Sequence, residues 1–144
     1  MADLLSRDAP DSEDFIVCWL ADHIRSSVER DTNDVLPFAV VQMISGDDDT
    51  DCGTAEDAIQ VDWFDKARNG MEAAQAAKLT AREGHRRIML LADELPQIEL
   101  SDGSIAGGDY LTTTLRPTRM PYADEKIVRY VSRYRLGTSF VATT

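Results

Sequence analysis

The run Asp47-Asp48-Asp49-Thr50-Asp51 has the residue type and spacing of a cation loop, with carboxylates at alternate positions that could converge on one hard ion. Such a loop needs Gly at its sixth position for the turn and Glu at its twelfth as a bidentate ligand. Cys52 and Ala58 stand there instead, so a solvated acidic loop is the expected reading. His23, His85, Cys18 and Cys52 lack the short ligand spacings of a zinc site, and Cys18 is expected in the core. A Ser or Cys nucleophile needs a histidine held by a third group. His85, next to Gly84, and His23, beside an apolar helix face, each read instead as a partly buried helix residue with a satisfied ring nitrogen. Gly107-Gly108-Asp109 lacks the GxxxxGKS pattern and precedes a strand, so it offers phosphate no helix N-terminus and reads as a turn. No catalytic residue, cofactor or metal is therefore expected. Arg129, Arg133 and Arg135 recur with the parity of one strand face, which suits a wet sheet face or an acidic protein partner better than a polyanion.

The elements that must position these residues follow from periodicity. Ser12, Glu13 and Asp14 supply a cap and two carboxylates at a helix start. Ile16, Leu20, Ile24 and Val28 then recur every four residues, predicting a helix to about Arg30. Leu36 to Ile44 reads as a strand with both faces apolar, hence covered on both sides. Asp47 to Gly53 is an acidic loop, and Ile59, Val61 and Trp63 alternate with polar residues as in a half-buried strand. Asn69 and Glu72 resemble a capping box opening a helix to about Glu94. Its small-residue stripe, Ala74, Ala77, Ala81 and Gly84, continues into Ile88, Leu91 and Leu95, and Pro96 ends it. Asp102-Gly103 suggests a tight turn between Gln97 to Leu100 and Ser104 to Ala106. A Thr-rich strand carries Leu111, Thr113 and Leu115 before Pro117. In the last strand Val128, Tyr130, Tyr134 and Leu136 oppose the arginine parity. The expected class is α+β: a mixed or antiparallel sheet of four or more strands with two main helices packed on it. Residues 12–136 form one domain in this reading, between a flexible N-terminal segment, 1–11, and a C-terminal tail, 137–144.

Composition narrows the function classes. Fifteen basic against twenty-six acidic side chains give a net charge of −11, and the sequence pI is about 4.5, which argues against sequence-independent nucleic-acid binding. The longest apolar run, Val35 to Val41, is 7 residues, against about 20 for a membrane helix, so no membrane association is expected. Met1 to Phe15 carries one Arg and five acids without an apolar stretch and resembles neither a signal nor a transit peptide. The charge is split: residues 1–66 hold 17 acids and 4 bases, 4 − 17 = −13, and residues 67–144 hold 9 acids and 11 bases, 11 − 9 = +2. Folding could interleave the two halves, or an acidic face could meet a basic face of the next copy head to tail.

Three segments, in order, resemble the tail terminator proteins of long-tailed, siphovirus-type bacteriophages, especially those of actinobacterial hosts. They are Leu36-Pro37-Phe38-Ala39-Val40-Val41 before an acidic loop; Ile59-Gln60-Val61-Asp62-Trp63-Phe64 leading into an Ala-rich helix; and Met120-Pro121-Tyr122 with Asp124 and Glu125, running into Arg129-Tyr130-Val131-Ser132-Arg133-Tyr134-Arg135. The resemblance implies a structural virion protein without enzyme activity, at the head-tail junction and in the host cytoplasm during assembly. Its subunits would form a homo-hexameric ring that caps the tail tube protein, ends tube polymerisation and presents a surface to a head-tail stopper or connector. DNA would traverse the lumen without specific binding.

On that basis Arg116, Arg119, Arg129, Arg133 and Arg135 are expected to meet Asp47, Asp48, Asp49, Asp51 or Asp62 across a subunit boundary. The segment Asp102, Gly103, Ser104, Gly107, Gly108 and Asp109 is expected to touch the tube. Two alternatives remain at this stage: another neck component such as the stopper, or a small cytosolic ligand-binding domain or enzyme.

Overall fold

The computed structural model describes residues 6–142. Its elements are β1 (Arg7–Asp8), α1 (Ser12–Leu20), β2 (Arg25–Ser27), β3 (Phe38–Asp49), β4 (Thr54–Lys66), α2 (Ala73–Glu94), β5 (Gln97–Glu99), β6 (Ile105–Met120), β7 (Ile127–Ser139) and β8 (Val141–Ala142). The main sheet has six strands in the order β2-β3-β4-β7-β6-β5, and β1 pairs with β8 in a separate ribbon. Only β2 and β3 run parallel; the other pairs are antiparallel. The fold is thus α+β with a mixed sheet and two helices. Among the described residues no helix is long and apolar enough to cross a membrane.

Alternation in β4 sets the core. Ala55, Ile59, Val61 and Trp63 are buried on the face that carries the helices, and the last three join Phe15, Ile16 and Leu20 of α1, Ala81, Ile88 and Leu91 of α2, and Tyr134 and Leu136 of β7. Gly84 allows the close approach anticipated from the small stripe: a Cβ there would collide with the Trp63 ring. That ring is 0% exposed, and its indole N–H donates to Ser132 Oγ at 2.9 Å, satisfying the one polar atom that burial would otherwise orphan. The two helices are tied by Trp19, whose indole N–H donates to the Arg87 carbonyl at 2.8 Å beneath the Arg87 guanidinium.

Several boundaries differ from expectation. Asp11 caps α1 by accepting from the Asp14 N–H, one residue before the expected start. The helix ends at Leu20 rather than near Arg30. Ser26, Ser27 and Val28 are weak helix formers, and Arg25–Ser27 instead completes the ladder beside Phe38–Val40. Ile24 remains buried, whereas Val28 is 44% exposed. The acidic stretch is not all loop, since Asp47, Asp48 and Asp49 pair with Glu56, Ala55 and Thr54. Asn69 is not a helix cap. Asn69 and Gly70 have φ of 51° and 77° between the bridged pair Arg68 and Met71, so the Asn-Gly hairpin preference prevails. Glu72 becomes the N-cap without a side-chain bond.

Gly107, Gly108 and Asp109 are strand, not turn, and β6 runs through Pro117 to Met120 with register shifts along the way. Such shifts leave unpaired positions where a residue without an N–H fits. The position 136 expected as a boundary lies inside β7, and in the expected end segments Arg7 and Asp8 pair with Ala142 and Val141.

Candidate functional site

The face of the sheet opposite the helices is covered at one end only. There Phe38, Val40 and Phe64 are buried with Leu36 and Ile127, the Tyr122 ring packs edge-on to Phe64 at 5.0 Å, and Arg30 lies over Phe64. The double-sided burial expected for the whole Leu36–Ile44 strand therefore holds for its first half. Met43 and Ile44 are about half exposed, at 48% and 50%. Beyond Val40 the open face carries the arginine parity of β7.

These arginines find partners within the chain. Arg129 lies 3.6 Å from Asp62 and Arg135 lies 3.2 Å from Glu56, while Arg133 donates to Gln60 Oε1 at 3.0 Å. Each partner sits on β4, the neighbouring strand, at a near-opposite position. Arg129 and Asp62, expected to meet partners across a subunit boundary, thus meet each other within the chain. Glu56 and Gln60, which the sequence did not single out, take the other two arginines. Tyr110 lies across Gly137, where a Cβ would collide with its ring, and its hydroxyl donates to Glu56. That bond holds the phenol above its usual pKa.

One end of the sheet is acidic. Asp47, Asp48 and Asp49 on β3, Glu56 on β4 and Asp109 on β6 border a single cleft, and Asp11, Glu13, Asp48 and Asp57 border a second on the helix side. Burial, followed by the fields of Asp48, Asp11 and Asp47, pushes the Asp57 carboxyl above the usual carboxylate range. Asp49 accepts the backbone N–H groups of Asp51 and Cys52 at 3.1 Å, which turns the hairpin. The residues expected to touch a tube divide within this region. Asp102, Gly103 and Ser104 form the β5–β6 turn, where Ser104 donates twice to Asp102 and holds its carboxyl below the usual range. Gly107, Gly108 and Asp109 lie in the strand that follows, and Asp109 accepts from Ser139 Oγ at 2.8 Å.

A further concave feature is basic. A groove of about 530 Å³ between α2 and β6 is lined by Lys78, Arg82, Arg86 and Arg116 with His85, Met89, Pro117, Thr118 and Tyr130. None of the four cations has a salt bridge among the described residues. Lys78, Arg82 and Arg86 recur every four residues along one helix face, a signal legible in the sequence but overlooked in favour of the stripe behind it. Arg119, also exposed, sits further along β6 beside Tyr122 and Asp124. His85 closes the floor as a buried residue whose Nδ1 lies 2.7 Å from the Tyr134 hydroxyl, in line with the satisfied ring expected for it. Burial, then the charge of Arg116, lowers its pKa. His23 differs from expectation: it lies beyond the end of α1 and is exposed. Cys18 is only partly buried and Cys52 exposed, both as free thiols.

No protein-family profile matches the chain, and no curated sequence matches it.

Proposed function

We propose that this chain is a structural subunit of a homo-hexameric ring that caps the tail tube of a long-tailed bacteriophage. In this reading the ring ends tube polymerisation and presents its far face to a head-tail stopper or connector. The protein acts by shape and charge, without catalysis, at the head-tail junction of the virion.

The observation that carries the reading is where the three resembling segments fall. Phe38 to Val41, Ile59 to Phe64 and Arg129 to Arg135 belong to β3, β4 and β7, three adjacent strands of one sheet, and Leu36 of the first segment and Tyr122 of the third pack over the end of that sheet near Phe64. Segments scattered over 100 residues of sequence thus form one continuous surface. No helix covers the outer side of that surface among the described residues, which suits a subunit that meets neighbours across a sheet. The acidic end and the basic groove add opposite charges in different places, as a head-to-tail contact requires.

The test is capping in vitro. Purified protein added to its phage's own tube protein during polymerisation is expected to stop growth and to appear as a six-fold ring on one tube end by electron microscopy. Tubes that grow to the same lengths with and without it, and carry no ring, would contradict the proposal.

A further inference from the structure

We infer that the basic groove between α2 and β6 is the receptor for the acidic β3–β4 hairpin of a second copy of this chain. The inference rests on the head-to-tail assembly proposed above, but not on the tube. Lys78, Arg82, Arg86 and Arg116 converge on one concavity in a chain of net charge −11. Like charges brought together without counter-charges repel one another, and opposite charges supplied by a partner relieve that repulsion. The complementary element is Asp47, Asp48, Asp49 and Asp51, all exposed, on the stretch of β3 beyond Val40 that no strand pairs on its outer side among the described residues, and on the turn that follows it.

A chain cannot satisfy its own groove. Arg116, on the groove wall, follows Leu115, which is level with Arg133 of β7, and Asp47, the hairpin acid nearest along the ladder, is level with Glu56, hence with Gly137. The β4–β7 ladder has no register slip, so these levels are 137 − 133 = 4 residues apart along the strand. That is about 13 Å along the strand and, from β3 to β6, about 14 Å across the sheet, too far for a side chain to bridge. Two different patches on one molecule make the contact heterologous, and repetition closes a ring or continues as a filament. Arg129, Arg133 and Arg135, already engaged with β4, are not the receptor.

The test uses full-length protein with two sets of changes. Arg82→Ala with Arg116→Ala alters the groove, and Asp47→Asn with Asp48→Asn alters the hairpin while leaving the Asp49 turn bonds intact. Self-association is measured by sedimentation across a concentration series at low salt, after circular dichroism has shown that each variant is folded. Each set is expected to weaken association by about tenfold or more, as two interfacial charge pairs would. A mixture of the two variants is expected to form dimers and stop there, because each still supplies one intact half. As a second readout, Arg82→Cys treated with an added thiol oxidant such as copper–phenanthroline and oxygen, which takes up the two electrons of each disulfide, should join to the native Cys52 of the next copy in a ladder of linked subunits, on tube ends as well as in solution. The wild type, with one exposed thiol, should stop at dimers.

Unchanged association in both variants, or a monomer at every concentration with no ladder even on tubes, overturns the inference. So does a groove variant that loses binding to inorganic polyphosphate or short duplex DNA while associating normally, since the groove would then be a polyanion site. Capping that persists while the groove variants have no effect would sink this contact and spare the tube-cap reading. Association that depends on the groove, without any capping, would do the reverse.

Discussion

Gly84 and His85 stand side by side on α2 and face different demands. Gly84 meets the immovable six-membered ring of Trp63, and overpacking there costs about 1–3 kcal/mol against about 1 kcal/mol of helix propensity regained. Gly84→Ala is expected to lower the urea midpoint in spite of its better helix former. Gly137→Ala meets Tyr110, a residue that is 40% exposed and whose side chain can swing outward, so its loss should be the smaller. Burial, then the charge of Arg116, lowers the pKa of His85 in the folded chain. Its folded pKa is therefore below the unfolded value near 6.5. As pH falls through about 6.5 the unfolded chain takes up a proton before the folded chain does, so stability drops with falling pH. Thermal melts between about pH 7.5 and about pH 5.5 should show this slope, and His85→Gln should flatten it. The satisfied ring of His85 was legible from a helical position beside a small stripe. Its partner Tyr134 was not, because the two are 49 residues apart.

At the scale of elements, local chemistry decided the turns and long-range pairing decided the lengths. The strands at Ile59 to Trp63 and Val128 to Leu136, the long helix and its end before Pro96, and the Asp102-Gly103 turn were all legible, since each depends on neighbours in sequence. The truncation of α1 was not. The apolar spacing through Val28 is helical, and only the free edge of Phe38–Val40 draws Arg25–Ser27 into the sheet. The Asn69-Gly70 turn illustrates two local signals in conflict, capping box and hairpin turn. Because Gly70 has a positive φ and open space around it, Gly70→Ala is expected to cost about 1–2 kcal/mol through backbone conformation alone. Glu72→Ala, which removes no cap bond, should change stability by less than about 0.5 kcal/mol. Denaturant titration of the pair separates the two signals.

Over the whole molecule, folding turns a charge split along the sequence into a split in space. Most of the acidic end comes from the first half of the chain, and Asp102 and Asp109 join it from the second. The groove comes entirely from the second half. The candidate site was therefore half legible: the acids and Arg116 stood out by type, whereas the cations of α2 gained meaning only once β6 was placed beside them. Contacts of this kind are screened, with a Debye length of about 10 Å at 0.1 M salt falling to about 3 Å at 1 M. Self-association is accordingly expected to weaken steadily with added salt in sedimentation runs, and an association that strengthens with salt would indicate an apolar contact instead. The most direct test of the tube-cap assignment is electron microscopy of a phage lysate from which this gene alone has been removed. The account predicts overlong, unjoined tubes beside filled heads; tails of normal length with unattached heads, or intact virions, would contradict it.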